Sequence, residues 1–251
     1  MTDKAWKEYY FNYQKLLAEK YYIPLLNQLN IDISSKKILD VGCGDGGFIT
    51  AFADAEAVAT GLEIKDFNWS ANPNIKFVIG NIIEEPEILK GNFFDIIILR
   101  DVIEHINKMD KYNFLNTISN LLTENGIILI TFPPFNSPFG LHQQVFCKSI
   151  LKYIPFLSLL PWWVLRPLFY LAGESKKSIK ELYKINQSAM KISSFLKIIK
   201  NLNLIVKYSE YYLVRPSHEI RYDYKVRRTI LGEIPILREL FVTGTVFVIK
   251  K

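Results

Sequence analysis

Three glycines stand at the spacing of a ligand-binding turn. Gly42, Gly44 and Gly47 form a G-x-G-x-x-G pattern that follows an apolar, strand-like run and precedes a helical one. Glycine at such positions permits a tight turn and lets the backbone approach a ligand closely. Glu63 lies at the end of the next predicted strand, where such turns are often followed by an acidic residue. Taken alone, the pattern is typical of any turn that binds an adenosine-containing cofactor.

Two acidic residues beside the glycines discriminate between such cofactors. Asp40 lies two residues before Gly42, and Asp45 lies within the turn. Their negative charge would repel a pyrophosphate in a partly dry cleft. A ligand with a cationic ammonium and sulfonium and no phosphate would be attracted instead. The acids therefore favour S-adenosylmethionine over NAD.

The D-x-G-C-G-x-G motif at residues 40–46 resembles the first motif of the class I S-adenosylmethionine-dependent methyltransferases, and the resemblance covers 37–132 and 192–213. The sequence is similar to the ubiquinone-precursor O-methyltransferases and to the methyltransferase type 11 and 23 group. Asn81 stands where the family more often has Asp to contact adenine, and its amide oxygen could still accept from the adenine amine. The resemblance implies a cofactor site made by Asp40, Gly42, Cys43, Gly44, Asp45, Gly47, Glu63, Ile64, Asn81, Ile82, Leu99 and Arg100.

A second group of reactive side chains follows the fourth predicted strand. Asp101, Glu104 and His105 are spaced i, i+3 and i+4, so on a helix they would share one face. Asp101 and Glu104 could form a helix capping box, or His105 could remove a proton from an acceptor hydroxyl. In a third interpretation, similar to metal-assisted O-methyltransferases, a divalent ion is bound by Asp101, Glu104, His105 and His142. The candidates for catalysis are His105, His142 and Asp101; His218 is expected at the surface or rim, and no metal is expected.

The elements that must position these residues follow a βα rhythm. Short β-branched runs alternate with helix-period stretches, which predicts an α/β, Rossmann-like, three-layer sandwich with helices on both faces of a mixed sheet. A helical region is predicted over 1–31, and the methyltransferase domain over 32–251 with a helical cap inserted at about 134–190. Either of the last two strands could lie near an edge. The seven predicted strands are 37–42, 58–64, 75–79, 94–100, 126–132, 204–213 and 242–249.

The insertion bears on the choice of partner. Residues 150–173 combine aromatic and apolar side chains with Lys152, Arg166 and three prolines, which is not the composition of a membrane-spanning helix. This composition predicts a lid, a subunit contact or a peripheral membrane contact. The net charge of +6 favours anionic partners, and no nucleic-acid-binding module is visible. Two cysteines and an N-terminus without a secretory pattern predict a cytoplasmic protein.

The sequence therefore predicts an S-adenosylmethionine-dependent methyltransferase that produces S-adenosylhomocysteine. Its acceptor is expected to be a small molecule or a lipid-linked intermediate methylated on oxygen. A nicotinamide-dependent oxidoreductase shares the glycine spacing, and a non-catalytic nucleotide-binding protein would keep the same turn. These are the alternatives.

Overall fold

A mixed sheet of eight strands forms the centre of the molecule. The computed structural model describes residues 3–69 and 72–251. Within these residues the strand order is β3-β2-β1-β4-β5-β8-β6-β7. The strands are β1 (Lys37–Val41), β2 (Val58–Glu63), β3 (Ile75–Ile79), β4 (Phe94–Arg100), β5 (Leu122–Phe132), β6 (Ile205–Val214), β7 (Arg227–Arg228) and β8 (Gly244–Lys250).

Helices cover both faces of the sheet, which confirms the predicted three-layer α/β sandwich. Strands β1 to β5 are parallel, and β8 runs antiparallel between β5 and β6. Two apolar clusters fill the spaces between sheet and helices, one with α3 (Gly47–Asp54) and the other with α4 (Lys111–Asn120) and α8 (Ile192–Asn201). Burial on both faces explains the continuous apolar runs of the first strands.

Three details of the predicted sheet were wrong. The sheet has an eighth strand, the two-residue β7, whose pairing along β6 depends on a long-range contact and leaves no apolar pattern. The last predicted strand is interior and not at an edge, since β8 pairs with both β5 and β6. β5 begins at Leu122 rather than at 126, because Leu122 pairs with Phe94 across an irregularity in the register.

The predicted N-terminal helices are present and belong to the main core. Helix α1 (Asp3–Leu17) continues through a π-helical turn (Ala18–Tyr22) into α2 (Ile23–Gln28), and residues 1 and 2 lie outside the described residues. Buried side chains of this region share one apolar cluster with β1 and α3. The N-terminal region therefore forms a wall of the molecule on the side of the glycine turn.

The predicted cap is also helical. It contains α5 (Gln143–Phe146), α6 (Trp162–Leu171), α7 (Lys176–Ser188) and two short 3-10 turns. Leu141, Leu165 and Phe169 lie in a separate apolar cluster of their own. Among the described residues, no helix combines the length and apolar character needed to cross a membrane. After β6, helices α9 (Pro216–Tyr222) and α10 (Pro235–Phe241) complete the fold.

Candidate active site

The glycine turn between β1 and α3 contains three residues with left-handed backbone. Gly42, Gly44 and Gly46 have φ angles of +74°, +56° and +85°, which side-chain-bearing residues adopt only with strain. The backbone nitrogens of Gly42 and Cys43 donate to the carbonyl oxygen of Leu62 at 2.8 and 3.2 Å. These bonds tie the turn to the end of β2. Gly46 was missing from the predicted site, although its place in the Gly46-Gly47 pair was a visible signal.

A cavity of about 430 Å³, called the first cavity, opens at the carboxyl ends of the parallel strands. Oε2 of Glu63 accepts a hydrogen bond of 2.9 Å from Gly44 N, and Oε1 accepts one of 2.7 Å from Ile64 N. Both oxygens keep a lone pair for further donors. The predicted residues that line this cavity are Gly42, Glu63, Ile64, Asn81, Ile82, Asp101 and His105.

The residues of the first cavity fit an adenosine. Val102, Ile106 and Phe114 supply apolar wall, and sequence reasoning missed all three because they lie beyond the β4 motif. Oδ1 of Asn81 accepts from Ile83 N at 3.1 Å, which holds the amide at the rim with one lone pair free. An adenosine needs a hydrogen-bond acceptor for its ribose hydroxyls and an apolar slot for its base, and this cavity has both.

Some predicted cofactor residues do not line the first cavity. Cys43 and Leu99 are buried in the apolar core, and Asp45 accepts a long hydrogen bond of 3.4 Å from Gly47 N. Asp40 is also buried, and its burial raises its pKa to about 7 against the opposing effect of Arg100. Asp40 is therefore only partly ionised at neutral pH without a ligand.

A second cavity of about 450 Å³ adjoins the first. The two share Gly42, Asp101 and His105. Its walls come from separate parts of the chain: the helix α1, the end of β4, the cap, the end of β6 and α9. Among its lining residues are Tyr10, Tyr13, Arg100, Asp101, Glu104, His105, Phe139, His142, Val145, Arg215, Ser217, His218 and Arg221. His218, expected at the surface or rim, is half-buried in this wall.

Asp101 does not cap a helix. It has a φ of +54°, and the segment after it is a 3-10 turn (Ile103–His105) without a side-chain cap. Its carboxylate instead forms an ion pair with Arg215 and accepts from Oγ1 of Thr131 at 3.3 Å. Burial alone would raise the pKa of Asp101, but Arg215 and Arg100 together hold it below its usual value. The capping-box interpretation was wrong because this long-range arginine takes the carboxylate.

His105 and His142 meet at the boundary of the two cavities. Their ring centroids are 6.4 Å apart, with the rings edge to face. Burial lowers the pKa of His105 below 6.5 and that of His142 to about 4. Both imidazoles are therefore neutral at pH 7 and can accept a proton.

The proposed metal ligands are not gathered into a metal site. Glu104 is buried, burial raises its pKa to about 8, and its Oε2 lacks a hydrogen-bond partner among the described residues. Its other oxygen is 3.9 Å from Nε2 of His105. Within residues 3–69 and 72–251, no group of three or more His, Cys, Asp or Glu side chains is arranged to hold an ion.

The most important residues missed by the sequence analysis are Arg215, Arg221 and Tyr13. Arg221 lies with its guanidinium 4.4 Å from the ring centroid of Tyr13. Their positions in α1 and after β6 had no motif to mark them. Arg215 follows a predicted strand, which was the available signal.

This architecture and paired-cavity site define a class: Rossmann-like α/β proteins that bind an adenosine-containing cofactor at the strand ends. A family model described as "Methyltransferase domain" matches residues 13–168. The chain belongs to this family of S-adenosylmethionine-dependent methyltransferases. Membership of this family argues against the oxidoreductase alternative.

Similar proteins agree with this assignment. A ubiquinone biosynthesis O-methyltransferase from Glaesserella parasuis is 26% identical over 117 residues, covering 42% of this chain and 49% of that protein. A histidine protein methyltransferase 1 homologue from Dictyostelium discoideum is 32% identical over 119 residues, covering 41% and 38%. The chain thus spans half or less of the length of either relative.

Solved structures show the same fold. An S-adenosylmethionine-dependent methyltransferase from Archaeoglobus fulgidus superposes with a TM-score of 0.55 at 15% identity, covering 93% of this chain and 94% of that one. The magnesium protoporphyrin IX methyltransferase of Synechocystis, with bound S-adenosylhomocysteine, gives 0.53 at 12% identity, covering 96% and 84%. At these identities the likeness concerns the fold.

Proposed function

We propose that this chain transfers the methyl group of S-adenosylmethionine to an oxygen of a small-molecule or lipid-linked acceptor. The observation that carries the proposal is the junction of the two cavities at Gly42, Asp101 and His105. A cofactor in the first cavity and an acceptor in the second would meet at this junction. Neutral imidazoles there suit removal of a hydroxyl proton.

The work of the protein residues is positioning. When bound, S-adenosylmethionine supplies a methyl group that is already electrophilic, so no covalent intermediate with the protein is needed. Glu63 would bind the ribose hydroxyls, and Asn81 and Ile82 would hold the adenine. Phe139 and Val145 of the cap line the second cavity and would help to exclude water from it.

Proton removal is assigned to the histidines at the junction. His105 would accept the proton of the acceptor hydroxyl on an imidazole nitrogen, with His142 beside it. Asp101 is an ion-paired carboxylate on the same wall and would stabilise the resulting imidazolium. Because burial lowers the pKa of His105, its basic form already predominates at neutral pH.

Transfer of label tests the reaction. The protein is incubated with [methyl-³H]S-adenosylmethionine and a metabolite and lipid extract of its source organism. We expect an organic-soluble product whose labelled methyl group resists mild alkali and is released as methyl iodide by hydriodic acid, as that of a methyl ether is. Label on nitrogen or carbon, or no transfer at all, would overturn the proposed O-methylation.

Replacement of His105 by alanine should lower kcat at least 100-fold, since general-base catalysis typically contributes about 10²–10⁴-fold.

Calorimetric titration with S-adenosylhomocysteine tests the cofactor site. Glu63→Gln keeps the size of the side chain and removes its charge, so we expect affinity to fall at least tenfold, about 1.4 kcal/mol. Glu84→Gln is the matched control, because Glu84 is exposed and lies outside the cavity. Equal affinities in both variants would contradict the assignment of Glu63.

The outer face of the cap supports a second part of the proposal, contact with an anionic lipid surface. On α6, Leu165 and Phe169 face the core, while Trp163 is 78% and Leu171 is 88% exposed. Arg166 lies on the exposed side with its guanidinium 6.0 Å from the ring of Tyr170. Aromatic and apolar side chains beside cations are the composition of an interfacial helix.

Vesicle flotation tests this contact. The full chain should float with vesicles of phosphatidylglycerol and phosphatidylcholine more than with phosphatidylcholine alone. W163S combined with L171S should reduce flotation at least fivefold. The control is W6S, because Trp6 is an exposed tryptophan of α1. Equal flotation of the double variant and the control would contradict the lipid contact.

A further inference from the structure

Arg100 is a largely buried cation at the end of β4. Its side chain is 12% exposed, and its Nε is buried with no acceptor among the described residues. The nearest ion-pair partner is Asp101, whose Oδ2 is 3.9 Å from Nη1 of Arg100, beyond hydrogen-bond distance. The guanidinium instead lies 4.9 Å from the ring centroid of Phe48. A buried guanidinium stays charged, so an anion that accepts hydrogen bonds from its unused N–H groups would stabilise it.

The acids around Arg100 do not supply that anion. Asp101 is already engaged by Arg215 and Thr131. Asp40 interacts electrostatically with Arg100, but burial keeps the Asp40 pKa near 7, so its charge is partial. Asp45 also interacts electrostatically with Arg100, but its carboxylate accepts a hydrogen bond from Gly47 N, and burial raises its pKa. Glu104 interacts instead with Asp101, Arg215 and Lys111, and burial raises its pKa.

A second cation strengthens the positive character of the same cavity. Arg221 stacks on Tyr13, and no ion pair of Arg221 with an acid occurs among the described residues. Arg100 and Arg221 both line the second cavity, and neither lines the first. The excess positive charge therefore faces the space assigned to the acceptor.

We infer that the acceptor carries a carboxylate that Arg100 binds through its guanidinium fork, while a separate hydroxyl of the acceptor lies at His105. The planar guanidinium matches a carboxylate with two parallel hydrogen bonds. This inference rests on the proposed function, since it assigns the second cavity to the acceptor. It makes Arg100 a specificity-determining residue. The cofactor's own carboxylate is the competing source of the anion.

Two probe pairs separate these sources. The first pair is 3-(4-hydroxyphenyl)propionate and its primary amide, which differ in charge and hardly in size. They are titrated into the protein saturated with S-adenosylhomocysteine. The second pair is S-adenosylhomocysteine and 5′-methylthioadenosine, which lacks the amino-acid carboxylate. Calorimetry is run on the wild type, Arg100→Gln, Arg100→Lys and the control Arg227→Gln, whose arginine is exposed on β7 and lines neither cavity.

The wild type and the Arg227→Gln control should bind the carboxylate probe at least tenfold more tightly than the amide. Arg100→Gln should abolish this preference and leave both adenosine ligands within threefold of the wild type. Arg100→Lys, which keeps the charge and loses the fork, should retain part of the preference. Retained binding of S-adenosylhomocysteine shows that each variant is folded.

Four results would overturn the inference. The wild type could fail to prefer the carboxylate or fail to bind it at 20 mM, or Arg100→Gln could retain the preference. Arg100→Gln could also weaken S-adenosylhomocysteine tenfold and spare 5′-methylthioadenosine, which would assign Arg100 to the cofactor carboxylate. Failure of S-adenosylhomocysteine to bind the wild type would instead refute the proposed function, so the two failures are distinguishable.

Discussion

At the scale of single residues, charge in this site depends on burial more than on residue type. Asp40 and Glu104 are both acids, yet burial raises their pKa values to about 7 and about 8. Asp101 is also buried, but its arginine partners lower its pKa. The carboxyl group therefore has different ionisation states at different positions in and beside the two cavities.

The pKa of Asp40 predicts a pH-dependent cofactor affinity. An ionised Asp40 would attract the ammonium of S-adenosylhomocysteine, so below pH 7 binding would first have to remove the proton of Asp40. We expect affinity to rise between pH 6 and 8 in the wild type. Asp40→Asn should be at least tenfold weaker at pH 8 and nearly independent of pH. Calorimetry across this range is the measurement, and parallel profiles for the two proteins would contradict the role of Asp40.

Stability should show the opposite trend for the same residue. Since the folded-state pKa of Asp40 is raised from 3.8 to about 7, its contribution to stability is complete below 3.8 and is lost as pH rises through 7. Without ligand, the melting temperature of the wild type relative to Asp40→Asn should therefore fall between pH 5 and 8. A constant difference between the two proteins would argue against the raised pKa.

At the scale of elements, the site depends on the contact of α1 with α3. A Cβ on Gly47 would lie 2.2 Å from the backbone oxygen of Phe11. The helix can approach this closely only because residue 47 has no side chain. Tyr10 and Tyr13 of α1 line the second cavity, so the contact couples the N-terminal helix to the acceptor side of the site.

Gly47→Ala should separate these helices. Because the clash is with backbone, we expect a loss of about 3 kcal/mol in the free energy of unfolding, at the upper end for overpacking. Gly91→Ala is the control, since its φ is +77° and its added methyl meets nothing within 4 Å. The control should lose only about 1 kcal/mol, from backbone strain. Urea denaturation measures both, and equal losses would refute the tight contact.

At the scale of the whole molecule, one ion pair joins two distant parts of the chain. Arg215 after β6 pairs with Asp101 after β4, 114 residues apart in sequence. Nε of Arg215 also donates to Oγ of Ser217 at 2.6 Å. The pair fixes how the region that follows β6 meets the central strands. It also commits Asp101, which leaves Arg100 free for a ligand.

A double-mutant cycle measures this connection. Arg215→Met leaves the largely buried carboxylate of Asp101 without its hydrogen-bonded cation and should lower stability by about 2–3 kcal/mol at pH 7. Adding Asp101→Asn should recover most of that loss. Lys90→Met is the control, since the Lys90–Glu87 pair is exposed and its loss should hardly change stability.

The cycle also has a pH signature. The lowered pKa of Asp101 means that its stabilisation is present above pH 3.8 and lost as pH falls through the folded-state pKa. The advantage of the wild type over Arg215→Met should therefore shrink below pH 3.8. Additive effects in the cycle at pH 7 would show that Arg215 acts independently of Asp101.

The βα order of the parallel strands, the glycine turn and the position of Glu63 could all be predicted from the sequence. These features are local: apolar runs set the strands, glycine spacing sets the turn, and the carboxyl ends of parallel strands meet at one edge. Four of the predicted cofactor residues, Gly42, Glu63, Asn81 and Ile82, therefore do line the first cavity.

The partners of the charged residues could not be predicted from the sequence, because they depend on how distant segments pack. The ion pair of Asp101 with Arg215 bridges 114 residues, and the walls of the second cavity come from separate parts of the chain. Burial then set the pKa values of Asp40 and Glu104, which depend on neighbours brought in by folding. No local pattern contains these contacts, because they form only when distant segments pack together.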